Sequence, residues 1–425
     1  MKRRGFLAAA GVAAAGAALA WLRPGDEGAP YDDYFRALNE ELRRNGLAQP
    51  SLLLDLDLLD RNIDRLRASI RAPKHYRVVA KSLPSLPLLD YVMKRADTNR
   101  LMAFHRPFLG IEAQAFAGSD ILLGKPMPAA AAALFYREHR GAFDPARQLQ
   151  WLLDTPQRLR EYLELAQGQN LRLRINIEID VGLHRGGVGD TETLKAMLDL
   201  IAAHPQQLQY AGFMGYDPHV VKLPRLLGSR ESLFAKVQEI YRGHVDTVRR
   251  DYAALWSDEV TLNGAGSPTF RLYENDELLN DLAAGSGLVK PTDFDLDTLD
   301  GFEPALFIAT PILKAGDGVR LPGLEGLSST LGAWNPNWQR SYFLYGGHWM
   351  ARYESPRGLR PNAIYGYSSN QEMANGSANT GLAVDDHAFL RPTQSEALML
   401  QFGDLLVLRQ GRIVERWPVL NQGTA

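Results

Sequence analysis

Tyr76-Arg77-Val78-Val79-Ala80-Lys81-Ser82-Leu83-Pro84 is the stretch on which the reading of the fold turns. Its β-branched run predicts a short buried strand, and the Ser-Leu-Pro break that follows leaves Lys81 at the strand's end. The same alternation recurs on both sides. Before it stand a predicted strand at Ser51–Asp55 and a helix at Leu58–Ile70; after it come a helix at Leu86–Arg95 and strands at Leu101–Phe104, Ile121–Leu123, Leu149–Leu153, Leu171–Ile179, Tyr210–Met214 and Val260–Leu262. Helical spacing at Ala129–Glu138, Pro156–Gln167, Thr191–Ala203 and Ser232–Leu255 separates most of these strands. About eight such units over roughly 240 residues are the expected size of a closed (β/α)8 barrel, with a doubly wound sheet as the rival. After Ser286 long helices give way to Gly, Pro, aromatic residues and short strands such as Ala305–Ala309, Arg340–Leu344, Leu405–Arg409 and Arg412–Trp417. The fold class is therefore α/β: a TIM-type (β/α)8 barrel over 49–286, then a mainly β C-terminal domain over 287–425.

The 425 residues, 45% of them hydrophobic, suffice for two cores. Forty-seven basic against 49 acidic residues leave a formal charge of −2, which argues against a nucleic-acid partner. The chain has no cysteine, so disulfides, thiolate metal sites and cysteine nucleophiles are excluded. Residues 1–22 read as an export signal: Lys2, Arg3 and Arg4 precede an alanine-rich run too short to span comfortably, and Ala18-Leu19-Ala20 is a small-x-small cleavage pattern. The order Arg3-Arg4-Gly5-Phe6-Leu7 is similar to the twin-arginine signal, which implies a periplasmic protein exported folded, with no stable membrane span once the signal is cleaved. A general secretory signal or an uncleaved anchor is the alternative. Residues 23–48 read as a linker and an N-terminal helix over Tyr34–Asn45.

Four strand ends carry candidate chemistry. Lys81, among apolar neighbours at the rim where barrels keep their active sites, is placed to lose its proton and form an imine; taken alone, it reads first as a surface lysine at a strand end. Ile179-Asp180-Val181-Gly182-Leu183-His184-Arg185-Gly186-Gly187 runs from a strand into a glycine-flanked loop that brings Arg185 and His184 to the rim. Gly215-Tyr216-Asp217-Pro218-His219 offers a phenol to stack on a ring and an imidazole as acid or base. Asn263-Gly264-Ala265-Gly266-Ser267-Pro268-Thr269 supplies free N–H groups and hydroxyls suited to a phosphate. A plain turn or a structural histidine accounts for each loop separately.

In this order the four segments resemble the D-threonine aldolase and D-serine dehydratase group, within the alanine-racemase-like fold type of pyridoxal-phosphate enzymes. The matching patterns are Arg77-x-x-x-Lys81, Ile179-Asp-x-Gly-x-x-Arg-x-Gly187, Gly212-x-x-x-Tyr-x-x-His219 and Ser267-Pro-Thr269, with a final strand at Gly411–Pro418. The resemblance implies pyridoxal 5′-phosphate held as an imine by Lys81, with Arg185 and Tyr216 beside it. It also implies that Asn263, Gly264, Ala265, Gly266, Ser267 and Thr269 bind the cofactor, and that the chain is a homodimer acting on a small amino-acid substrate.

The chain departs from the group where the group binds a divalent metal. Counting back from Trp417, those positions are Gln394 and Glu396, and a neutral amide with one carboxylate makes a poor metal site. A metal-free reaction is the expectation, with His387 and His348 as replacement ligands to be examined, and Glu372 and Glu396 as candidate acids or bases. The leading reading is a lyase acting on a small D- or β-hydroxy-amino acid by retro-aldol cleavage or β-elimination, with Lys81, His219 and Glu396 as catalytic residues. An amino-acid racemase of the same fold and a non-catalytic cofactor-binding protein are the alternatives.

Overall fold

A computed structural model of the chain describes residues 23–320, 323, 326 and 328–421. The export signal expected at residues 1–22 lies outside these. The first element is the helix Asp33–Arg44, capped by the Asp32 side chain on the Phe35 N–H, followed by strand β1 (Ser51–Asp55). Eight parallel strands come next: β2 (His75–Val79), β3 (Arg100–Ala103), β4 (Asp120–Leu123), β5 (Leu149–Leu153), β6 (Leu173–Glu178), β7 (Leu208–Met214), β8 (Thr261–Gly264) and β9 (Asp281–Ala284). They close in that order into a barrel, with β9 pairing back onto β2 through Tyr76↔Leu282 and Arg77↔Ala283. The expected TIM-type barrel is present.

Its strand roster corrects the sequence reading at two places. Ser51–Asp55, as apolar as any barrel strand, lies instead between the strands Leu306–Asp317 and Leu405–Arg409 of another sheet. The eighth barrel strand is Asp281–Ala284, which the sequence reading passed over. Connecting helices are fixed by local chemistry. Thr155, Asp190 and Ser229 cap the helices Pro156–Gln169, Thr191–Ala203 and Arg230–Asp251, each accepting an orphan N–H of the first turn. Leu194, Met197, Leu198 and Ile201 recur at helical spacing and are buried.

The barrel interior holds a polar layer. Arg77, fully buried on β2, donates to Asp281 at 2.8 and 3.0 Å, to Asp120 at 2.7 Å and to two backbone carbonyls. A buried guanidinium is tolerable only with such complete pairing. Gln150 donates to Thr261 at 3.0 Å, and Asn263 donates to Asp281 at 2.5 Å.

The remaining strands are β10 (Leu306–Asp317), β11 (Arg340–Leu344), β12 (Ala351–Ser355), β13 (Arg360–Pro361), β14 (Met373–Gly376), β15 (His387–Pro392), β16 (Leu405–Arg409) and β17 (Arg412–Trp417). The sheet runs β13-β14-β11-β10-β1-β16-β17, with β15 pairing β10 and β12, so this part is mainly β as expected. The pairings among β10 to β15 are antiparallel.

The chain divides into two units. One takes Leu54–Leu306 together with Gln394–Val407 and the residues from Glu415 on; the other takes the chain up to Leu53, Phe307–Thr393 and Leu408–Val414. Within the second, residues 23–30, read from the sequence as a linker, make contacts of their own. They form no helix or strand, yet Glu27 N–H donates to Asn337 at 3.0 Å and Asn337 donates to the Gly25 carbonyl at 2.8 Å. Among the described residues, no helix is long and apolar enough to cross a membrane.

Candidate active site

The barrel unit contains a cavity of about 620 Å³, counting its open mouth, among residues at and just beyond the C-terminal ends of its strands. Lys81, Arg185, Tyr216 and Glu396 line it, as do Asn263 from β8 and Ala265, Gly266 and Ser267 from the loop after it. Segments far apart in sequence thus converge on one pocket.

Lys81 sits in a single 3-10 turn, Ala80–Ser82, that ends β2. Its Nζ is 2.7 Å from Glu396 Oε1 and 4.9 Å from the centre of the Phe104 ring. Glu396 arrives from the short helix Glu396–Met399, which belongs to the barrel unit although its sequence lies among the strands of the other. Both side chains retain over a third of their exposure, at 38% and 37%. A charge pair so solvated is weak in isolation, so its geometry depends on what holds the two backbones.

Arg185 is presented by a loop wound around Asp180. The Asp180 carboxylate accepts the N–H groups of Gly182 (3.0 Å) and His184 (2.9 Å) and contacts His184 Nδ1 at 2.7 Å. Burial pushes this carboxyl up, but those hydrogen bonds outweigh it and hold it below the usual range. His184 therefore folds back on Asp180, while the Arg185 guanidinium lies 4.7 Å from the Tyr216 ring centre and 4.0 Å from Glu178. Glu178, at the end of β6, is pushed up to about 7 by burial, with Arg185 opposing. Burial likewise raises the Tyr216 phenol, which Arg185 pulls back.

Three expected site residues do not line the cavity: His219, Gly264 and Thr269. Thr269 is fully buried, its hydroxyl donating to Asp217 at 2.6 Å and accepting the Gly266 N–H at 3.2 Å. Tyr273 completes that cluster by donating to Asp217 at 2.6 Å. His219 is buried with Nδ1 unpartnered, and its Nε2 faces Gly182. Burial lowers the affinity of its ring for a proton. The sequence reading missed Phe104, Ser286 and Phe294, which also line the pocket. Phe104 follows β3, whose apolar run is plain in the sequence, whereas Ser286 follows β9, whose run opens on an aspartate.

These residues fit a phosphorylated aldehyde. A primary amine, a cationic guanidinium over an aromatic ring, and a small-residue turn line the same cavity. A Cβ at Gly266 would come within 2.6 Å of Tyr216 Cε2, so only glycine lets the turn approach the ring this closely. Ala265 at φ +66° bends the same turn.

The candidate metal positions are otherwise engaged. Gln394 donates to Asp293 at 3.2 Å and Glu396 meets Lys81. In the other unit His387 is buried rather than exposed, its ring nitrogens facing Asn39 Oδ1 at 3.1 Å and the Leu47 carbonyl at 3.0 Å. His348 is exposed and stacks on Tyr367, and its N–H donates to Glu372 at 2.6 Å. The other Glu372 oxygen accepts from Tyr353 at 2.8 Å. Among the described residues no group of three or more His, Cys, Asp or Glu side chains is placed to hold a metal ion.

Fold and pocket together define a (β/α)8-barrel protein with a lysine amine at the rim end of its first barrel strand, in one cavity with a small-residue turn. Residues 54–290, more than half of the chain, match the model of the alanine racemase N-terminal domain. The chain belongs to that family. Among solved structures it is similar to D-threonine aldolase from Filomicrobium marinum (18% identity, TM-score 0.66, covering 88% of this chain and 97% of that one). It is similar also to D-threo-3-hydroxyaspartate dehydratase from Delftia sp. HT23 (17%, TM-score 0.67, 89% and 98%) and to alanine racemase from Bacillus anthracis (15%, TM-score 0.64, 87% and 98%). At these identities the likeness shows the fold. No curated protein matches the chain.

Proposed function

We propose that this chain is a pyridoxal-phosphate enzyme that cleaves or dehydrates a small D- or β-hydroxy-amino acid, with Lys81 as its cofactor lysine. The observation that carries the reading is the convergence of the Lys81 amine, the Arg185–Tyr216 pair and the Ala265–Ser267 turn on one cavity. The aldolase and dehydratase among the similar structures support the reaction class. Lys81 would anchor the cofactor, which when bound would supply an electron sink for the substrate's α-carbon.

The chain's own residues supply the rest. The turn after β8 holds the phosphate with N–H groups, Arg185 over the Tyr216 ring fixes one wall, and Phe104 and Phe294 keep water from another. Glu396, at hydrogen-bond distance from Lys81 Nζ, takes up or returns the proton that the lysine handles. Export by the twin-arginine route and assembly as a homodimer form part of the proposal, the first supported by residues 2–20 and the second by the family resemblance.

The test combines trapping with product analysis. The full chain is loaded with pyridoxal phosphate, reduced with borohydride and mapped by peptide mass spectrometry, then assayed on D-threonine and D-serine. An adduct on Lys81 with glycine plus aldehyde, or keto acid plus ammonia, supports the lyase. Formation of only the enantiomer replaces it with a racemase, an adduct without turnover on any amino acid leaves a cofactor carrier, and no adduct on Lys81 ends the proposal.

A further inference from the structure

Ser82 follows Lys81 in sequence and Ser395 precedes Glu396, and the two serines are joined through a third. Ser395 Oγ donates to Ser286 Oγ at 3.3 Å, and Ser286 Oγ donates to Ser82 Oγ at 2.9 Å. All three are buried. We propose that Ser286 is a positioning residue: this line of hydroxyls holds the Glu396 carboxylate against the Lys81 amine. Its catalytic consequence rests on the reading above, whereas the positioning itself does not require the cofactor.

The surrounding geometry is built for the contact. Ser286 opens the 3-10 turn Ser286–Leu288 that follows β9. Ser267 Oγ accepts the N–H groups of both Gly285 (3.1 Å) and Gly287 (2.9 Å), so the turn is pinned on both sides of Ser286. At Gly285 a Cβ would lie 2.8 Å from both Ser82 Cβ and the Val79 carbonyl oxygen, and any side chain would force this turn away from the lysine turn. Glycine there lets the two hydroxyls meet.

The need for such a device follows from exposure. The Lys81 and Glu396 side chains keep 38% and 37% of their exposure, and a pair so solvated gains little from its own attraction while losing rotamer freedom. Buried hydroxyls resist separation, because each would be left without a partner in a low-dielectric setting. Anchoring residues 82 and 395 therefore fixes residues 81 and 396. Proton transfer then needs no rearrangement: an Nζ–H bond breaks, its electron pair stays on nitrogen, and an O–H bond forms at Oε1.

A zero-length carbodiimide cross-link reads this contact in the cofactor-free full chain. The reagent activates a carboxylate and joins it to an adjacent amine as an amide, the lost water leaving on the urea by-product. Peptide mass spectrometry should find Lys81 joined to Glu396, with the Lys195–Asp251 pair at 2.8 Å as internal standard. Ser395→Ala, which removes one buried hydrogen bond, should lower the Lys81–Glu396 yield about fivefold against the standard; Ser286→Ala, which removes both links of the line, should lower it at least as much, and the double variant should fall no further than Ser286→Ala. In the loaded enzyme both should reduce kcat with KM retained. Unchanged cross-linking in either folded variant, or additive losses, would overturn the proposal. If Ser286→Ala loses the standard as well, it has unfolded and Ser395→Ala decides. An absence of turnover in the parent protein would remove the lyase reading and leave the cross-linking result standing on its own.

Discussion

Lys81 Nζ and Glu396 Oε1 lie 2.7 Å apart, joining the turn after the first barrel strand to a segment that enters the barrel unit from late in the chain. A carboxylate at this distance can exchange a proton with the amine directly, and a general acid or base so placed contributes roughly 10² to 10⁴ in rate. Glu396→Gln keeps the shape and removes the charge. The expected outcome is a fall in kcat of that order while the borohydride-trapped adduct on Lys81 persists. Unchanged turnover would remove Glu396 from the chemistry. Addition of a chelator to the parent enzyme should leave its rate intact, and a chelator-sensitive reaction would show that the work falls to a metal instead.

Glu178 gives the site a pH dependence near neutrality. Burial pushes its carboxyl up to about 7, the Arg185 guanidinium pulls it down, and Asp154 and Asp180 add to the rise. Below that value it is neutral and leaves the Arg185 charge free to attract an anion; above it the carboxylate cancels part of that charge. Affinity of the cofactor-free protein for pyridoxal phosphate or inorganic phosphate should therefore weaken as pH rises through 7. Glu178→Gln should flatten the dependence. Titration calorimetry at pH 6 and pH 8 checks it, and an equal slope in the two proteins would assign the step to another group.

What the sequence could and could not show follows from how each signal arises. Lys81, Arg185 and Tyr216 were legible because strand ends announce themselves by an apolar run and a break, and barrels gather such ends at one rim. The strand Asp281–Ala284 was not, since its first residue is a buried carboxylate paired with Arg77 and this breaks the apolar pattern. Ser51–Asp55 carries a full apolar pattern and goes to another sheet, because periodicity reports burial and not the partner strand. Thr269 and His219 occupy motif positions, but the first hydrogen-bonds Asp217 inside the fold and the second faces Gly182. Counting back from Trp417 located Glu396, while its contact with Lys81 is a tertiary fact that no local pattern encodes.

Glu112, buried on the helix Arg106–Ala115 with Oε2 unpartnered, sets the stability of the barrel unit against pH. Burial raises its carboxyl to about 8 from an ordinary value near 4.5. A raised carboxyl means that the fold prefers the neutral form, so its contribution is complete below pH 4.5 and is lost as pH climbs toward 8. At about 1.4 kcal/mol per pKa unit the loss reaches a few kcal/mol. Glu112→Gln should raise the urea midpoint at pH 8 and change it little at pH 5. A midpoint gain of the same size at both values would show that the side chain acts by packing and not by ionisation.

Asp281 works in the opposite direction and connects the barrel's interior to the pocket. It is fully buried, yet Arg77 and Arg100 hold its carboxyl below the usual range against the pull of burial. A lowered carboxyl stabilises the fold above its ordinary pKa and loses that contribution as pH falls through the lowered value. Asp281→Asn would leave Arg77 buried without its main partner, and breaking such a pair costs roughly 3–5 kcal/mol. Asn263, which lines the cavity, donates to Oδ1 of the same carboxylate at 2.5 Å; the amide at 281 keeps one acceptor oxygen but loses the charge and turns an NH2 toward the arginines, so it should loosen the hold on Asn263. The variant should therefore unfold at lower urea at pH 7, show less of a deficit in acid, and bind pyridoxal phosphate more weakly even where it is fully folded. Weakened folding with unaltered cofactor affinity would show that the polar layer supports the barrel alone and does not set the pocket floor at Asn263.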